Sequence, residues 1–190
     1  MLNDLLMLVA TYLNLEDVSS YIDAVNTDEE VGDAPKDLTL LIRLANLTLK
    51  TITADYMPLY TEEQVYSDGD CQINYSGFSK TPIKIKSVSY LDGISATFRC
   101  FPSYVKVGYP NKKYLVKYAY APEELTDLDD ELEKPFGLSA QTIAFGICFE
   151  YYIANELYAE ADMFEERFKQ AILKDINSTR IKEVPKRGWV

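Results

Sequence analysis

The chain has 190 residues, a net charge of −11 and no histidine, long enough for one substantial core that buries about 70% of the surface exposed when unfolded. The missing histidine excludes every Ser-His-Asp, Cys-His and histidine-ligand arrangement, and the wide spacing of Cys71, Cys100 and Cys148 gives neither a disulfide framework nor a zinc pattern. Overall acidity disfavours general nucleic-acid binding, because it repels phosphates.

Leu2, Leu5, Leu6, Val9, Tyr12 and Leu13 follow the i, i+3, i+4 rhythm of an amphipathic helix. The opening "MLNDLLMLVATYLNLED" lacks the basic region and small-residue cleavage site of a signal peptide, and no run reaches the ~20 apolar residues of a membrane span. "NLEDVSSYIDAV" predicts a short second helix, and "TDEEVGDAPKD" breaks the pattern with Gly32 and Pro35. Leu38, Leu41, Ile42, Ala45, Leu49 and Ile52 then line a longer helix that must end before Pro58.

Beyond Pro58 the period shortens. "EQVYS", "CQINYS", "IKIKSVSY", "ISATFRCF", "SYVKVGY" and "KYLVKYAY" read as short strands, with tight turns at Asp68-Gly69 and Asp92-Gly93. Tyr114, Val116, Tyr118 and Tyr120 share one face of the last strand, and Leu115, Lys117 and Ala119 the other. The apolar parity flips between Ile85 and Val88, which predicts a bulge. With 15 tyrosines in the chain, a protein-facing surface is favoured here, since the ring buries while the hydroxyl finds a partner.

The linker "APEELTDLDDELEKPFG" carries seven acids from Glu123 to Glu133 and no base, whereas Ile83 to Tyr118 holds seven bases and one acid, Asp92. Opposite patches on one chain suit head-to-tail self-association, and each alone also suits a solvated face. Ser139 is the N-cap of a helix running to about Leu157, apolar nearly all round. Its cover comes either from the N-terminal helices or from a neighbouring subunit, and Gly146 and Ala154 allow another backbone to approach. A second helix places Ala161, Phe164, Phe168, Ala171 and Ile172 on one stripe. The tail "NSTRIKEVPKRGWV" has no period, four bases against one acid from Arg180 onward, and the chain's single Trp; Trp189 reads as an anchor for a partner.

Candidate chemistry is sparse. The acids Asp127 to Glu133 could serve a carboxylate-dependent hydrolase only with an apolar pocket around one of them. Asp68 and Asp70 resemble the start of a calcium loop, but a plain turn explains them. The sequons at Asn46, Asn74 and Asn177 are read as chance. No Gly-rich phosphate loop is present, and the Tyr-Lys alternation from Tyr104 to Tyr120 suits either a stacking platform for single strands or a protein-facing sheet.

The stretches "LANLTLKTITADYMPLYTEEQVYSDGDCQINYSGFSKTPIKIKSVSY", "YLVKYAYAPEELTDLDDEL" and "IAFGICFEYYIANELYAEADMFEERFKQAI" resemble the head-to-tail connector (adaptor) proteins of tailed bacteriophages, from about Ala45 to Ile172. In particular "EYYIANELYAEADMFEERF" resembles their closing helical hairpin. The resemblance implies an α+β fold: a helical bundle of N-terminal helices plus a C-terminal helical hairpin, with an inserted antiparallel β module and an extended C-terminal tail. Its segments are 1–58, 59–121, 122–137, 138–178 and 179–190, with 1–178 as one structural unit.

It further implies a structural virion protein of the neck, assembled in the bacterial host cytoplasm, with no catalysis, cofactor, metal or membrane. Its partners would be further copies in a homo-oligomeric, dodecameric ring, a portal protein, and tail or neck proteins, with packaged DNA passing the channel without specific binding. The portal-docking tail would use Arg180, Ile181, Lys182, Val184, Lys186, Arg187, Trp189 and Val190. Subunit or tail interfaces would use Tyr104, Lys106, Tyr114, Tyr118 and Tyr120 on the sheet, and Asp127, Asp129, Asp130 and Glu131 on the linker. The reading from another class is a stand-alone binding module whose tyrosine-rich β face holds a glycan or peptide.

Overall fold

Apolar spacing builds the first helices where the sequence places them. The computed structural model describes residues 1–27, 29 and 32–179, in which α1 spans Leu2–Leu13, α2 Glu16–Asn26 and α3 Lys36–Thr51. Leu2, Leu6, Val9, Val18, Ile22 and Leu41 are wholly buried. After α3 the backbone widens into a π turn, Ile52–Tyr56, closed by the Met57 N–H donating to Ile52 O at 2.8 Å. Met57 then leaves the helical region (φ −135°, ψ 79°), which the residue before a proline disfavours.

The closing pair is α4, Ala140–Ala154, and α5, Tyr158–Thr179. Ser139 caps α4: its Oγ accepts from Thr142 N at 3.1 Å. Asp175 of α5 adds a second lock, its Oδ2 accepting from Ser139 N at 2.9 Å and Thr142 Oγ1 at 2.6 Å. Helix α4 stops at Ala154, before the expected Leu157, because Glu156 takes a left-handed φ of 60° and reverses the chain.

Thr142, Ile143, Ala144, Gly146, Ile147 and Cys148 of α4 are buried, so the chain's own helices cover its first half. The approach is closest at Gly146, where an added Cβ would lie 2.5 Å from Thr48 Cγ2 and 3.1 Å from Phe168 Cε2. Thr48 Oγ1 is buried beside this crossing without a hydrogen-bond partner. Replacing that hydroxyl by a methyl removes an unmet polar group at constant shape. Thr48→Val is therefore expected to stabilise the chain by about 1 kcal/mol, read as a raised urea midpoint at unchanged m-value.

Strands β1 (Leu59–Tyr66), β2 (Gln72–Asn74), β3 (Pro82–Tyr90), β4 (Phe98–Cys100), β5 (Tyr104–Val107) and β6 (Lys113–Tyr120) form two antiparallel three-stranded sheets, ordered β1-β6-β3 and β2-β5-β4. The pairing of β3 with β6 shifts between Ile85 and Ser87, so the predicted bulge is present with Lys86 as its extra residue. Asp68 and Asp92 shape the two predicted turns: Asp68 Oδ1 accepts from Asp70 N and Gln72 N, and Asp92 Oδ1 from Ile94 N.

The chain divides into two compact units: Met1–Leu49 with the described residues from Glu124 onward, and Lys50–Glu123. This corrects the expectation of one structural unit over 1–178. The β segment closes a core of its own, with Val65, Ile73, Phe78, Val88, Val105 and Tyr118 among its members, and so needs no helix to bury its inner faces.

Candidate functional site

Alternation along β1, β6 and β3 sorts the insertion's side chains into an inner and an outer set. Tyr114, Tyr118 and Tyr120, expected at an interface, are inner: Tyr114 and Tyr118 are 0% exposed and Tyr120 9%. They offer a partner no surface, which corrects that expectation. Their burial is possible because the hydroxyls are satisfied, Tyr114 donating to Tyr109 O at 3.1 Å and Tyr118 to Glu63 Oε1 at 2.6 Å. Tyr104 is half-buried and Lys106 exposed, on β5 of the other sheet.

The Tyr118–Glu63 pair carries a pH dependence. Burial alone would push the Glu63 carboxyl up, but the hydrogen bonds from Tyr118 and Ser79 outweigh it and hold the carboxyl below its ordinary value. A carboxyl depressed in the folded chain stabilises above its unfolded pKa of ~4.3, and that contribution is lost as pH falls through the folded value. Tyr118→Phe is expected to cost about 1 kcal/mol at neutral pH, the gap to the parent closing in acid. Urea unfolding at both ends of that range checks it.

The outer face of the β1-β6-β3 sheet is basic and aromatic. Tyr60, Glu62 and Tyr66 of β1 stand opposite Ala119, Lys117 and Lys113 of β6, and Lys84 and Ser87 of β3 stand opposite Ala119 and Lys117. The bulge brings Lys86 to the same side, its ammonium 4.5 Å from the Tyr60 ring centroid, and Lys113 lies 5.3 Å from that of Tyr66. Four lysines, two tyrosine rings and one carboxylate thus share this face.

At its Tyr66 and Lys113 end an open cleft of about 700 Å³ is lined by Tyr90, Leu91, Ile94, Tyr109 and Lys112. The Lys112 ammonium sits 4.6 Å from the Tyr109 ring, and Ile94 is 63% and Tyr109 54% exposed. The sequence reading put the tyrosines at the surface and missed this pattern: the outward positions are those carrying Lys113, Leu115 and Lys117.

The acidic linker is fixed by its backbone. The first N–H groups of α1, otherwise without helical partners, donate from Leu2 to Asp130 O and from Asn3 to Leu128 O, each at 3.0 Å. Asn46 of α3 forms a two-way amide pair with Leu125: its Nδ2 donates to Leu125 O and its Oδ1 accepts from Leu125 N, both at 2.8 Å. The Asn46 sequon is therefore closed in the folded chain. Asp130 turns inward on its own loop, accepting from Thr126 N and Asp127 N, and those backbone bonds hold its carboxyl below the ordinary value. Asp127, Asp129 and Glu131 remain exposed, and Glu131 lines a pocket of about 370 Å³ with Met1, Asp4, Leu5, Leu132, Lys134 and Ala140.

On α4, burial pushes the Glu150 carboxyl up, and the Cys148 thiol to about 12, which leaves the thiol inert. At the α4–α5 turn apolar groups stand in solvent, with Ile153 40%, Leu157 45%, Tyr158 62% and Met163 46% exposed. The tail residues Arg180, Ile181, Lys182, Val184, Lys186, Arg187, Trp189 and Val190 lie outside the described residues. Among the described residues no acid or cysteine cluster could hold a metal ion, and no helix is long and apolar enough to cross a membrane. No protein-family model matches the chain, and no curated protein matches it.

Proposed function

We propose that the chain is a non-enzymatic head-to-tail connector subunit of a tailed bacteriophage. Copies assemble into a ring, dodecameric in the family it resembles, under a portal protein; tail or neck proteins attach to the ring, and DNA passes through its channel without specific binding. The observation that carries this reading, beside the resemblance of residues 45–172, is the α4–α5 hairpin. It is buried at its base but leaves Ile153, Leu157, Tyr158 and Met163 in solvent at its turn, as expected of a subunit that finishes burying its surface by assembly. The tail from Arg180 is the proposed portal-docking extension.

The test is the mass of the purified chain in solution, alone and mixed with portal rings. A ring, or a portal-dependent assembly lost on deleting Arg180 to Val190 with the fold intact, supports the proposal. A monomer indifferent to portal rings defeats it and favours the second reading, a binding module whose Tyr90–Tyr109 cleft takes a glycan or peptide.

A further inference from the structure

Each unit of the chain carries one surface of strong and opposite sign. On the β unit, Lys84, Lys86, Lys113 and Lys117 share the outer sheet face with the single acid Glu62. On the helical unit, Asp127, Asp129 and Glu131 project from a run of seven acids that contains no base. Such a basic face is unusual on a chain of net charge −11, where general self-repulsion keeps copies apart unless opposite patches are brought into register.

We infer that the outer face of the β1-β6-β3 sheet is the docking site for the acidic linker of a second copy of this chain, joining copies head to tail. This rests on the ring-forming reading above and names the surfaces that make the ring. Three features favour a second copy as the occupant. Charges are complementary, and a copy brings its acids wherever it brings its lysines. The linker is also presented ready-made, because hydrogen bonds from α1 to Leu128 O and Asp130 O, and from Asn46 to Leu125, fix its backbone and leave alternate carboxylates outward. Docking therefore costs little ordering of the main chain.

The lysines are likewise pre-positioned. Lys86, which is exposed, and Lys113, which is half-buried, rest on Tyr60 and Tyr66 at 4.5 and 5.3 Å, which reduces the rotamer freedom lost on binding. The surface is heterologous, acids on one copy meeting lysines on the next, so each copy keeps one unsatisfied end until the chain of copies closes. Nucleic acid would be drawn to the same lysines and rings, but at a net charge of −11 it is repelled by the rest of the molecule.

The experiment is a charge swap in the full chain, read by sedimentation and native mass at low and high salt. One variant carries Lys84→Glu, Lys86→Glu, Lys113→Glu and Lys117→Glu; the other carries Asp127→Lys, Asp129→Lys and Glu131→Lys. Each alone is expected to weaken self-association at least about tenfold, and the equimolar mixture to restore it, since both new surfaces are again complementary. Parental association should fall as salt rises.

The linker variant alters only exposed loop side chains, so it tests the idea even if the sheet variant folds poorly. Undiminished association of the linker variant overturns the inference while leaving the ring reading standing, as does failure of two folded variants to complement. A parent that stays monomeric with and without portal rings overturns both. A parent that binds a single-stranded oligonucleotide through these lysines without self-associating shows the face to be a nucleic-acid site and overturns the inference.

Discussion

Gly146→Leu is expected to cost at least about 3 kcal/mol, the upper range of overpacking in a closed core, lowering the melting temperature by roughly 10 °C for a chain of this size. Even a single added methyl would lie 2.5 Å from Thr48 Cγ2 and 3.1 Å from Phe168 Cε2, distances that require a neighbour to shift. The neighbours belong to α3 and α5, so the side chain acts as a wedge between three helices. Gly146→Ala isolates the effect. It gains up to ~1 kcal/mol of helix propensity and still should destabilise, because the clash exceeds that gain.

The double variant Gly146→Ala with Thr48→Ala should then recover most of the loss, the two changes being strongly non-additive. Thermal and urea unfolding of the four chains in that cycle measure the coupling. Additive effects would show that Thr48 is not the obstacle.

Asn46→Ala should destabilise by about 2–4 kcal/mol, since it strands the Leu125 N–H and C=O in a buried place where each unmet group costs about 1–3 kcal/mol. The amide also donates to Ile42 O at 3.2 Å, so its orientation is fixed from two sides. Asn46→Asp is informative because it keeps the acceptor for Leu125 N but points a carboxylate at two carbonyls. At neutral pH it should be at least as harmful as alanine.

Burial and the carbonyl dipoles would raise the pKa of the new carboxyl. Stability is thus recovered as pH falls through that raised value, when the protonated form can donate to Leu125 O. Unfolding curves for Asn, Ala and Asp chains across the acid range test both the size and the sign. An Asp variant that weakens in acid relative to Ala would refute the assigned geometry.

What could be foreseen in the sequence was what depends on near neighbours. The Ser139 cap needs only Thr142, and the bulge at Lys86 follows from a parity change within one strand. Gly146 is a small residue in an otherwise bulky helix, which is itself the signal of close approach. What escaped depends on distant partners. Period-2 alternation divides β6 into two faces without saying which is inside, and that choice depends on Phe78, Ile73 and Val105 supplied from elsewhere in the insertion. Tyr118 looked like an interface residue because its hydroxyl is satisfied by Glu63, 55 residues away in the chain. Asn46 lies 79 residues from Leu125, and its neighbourhood in sequence advertises only a sequon.

The same distant pairings decide how the insertion joins the rest of the chain. On the helical side, Asn46 holds Leu125; on the β side, Leu59 pairs with Tyr120. The chain is thus pinched shut twice, just before it leaves for the insertion and just after it sets out into it. To the helical unit the whole of residues 50–123 amounts to a loop whose ends already meet, and closing a loop costs little more as it lengthens. Selection can therefore lengthen, shorten or exchange the insertion while the helices stay as they are, so that what the protein touches and how it is built are free to change at different speeds.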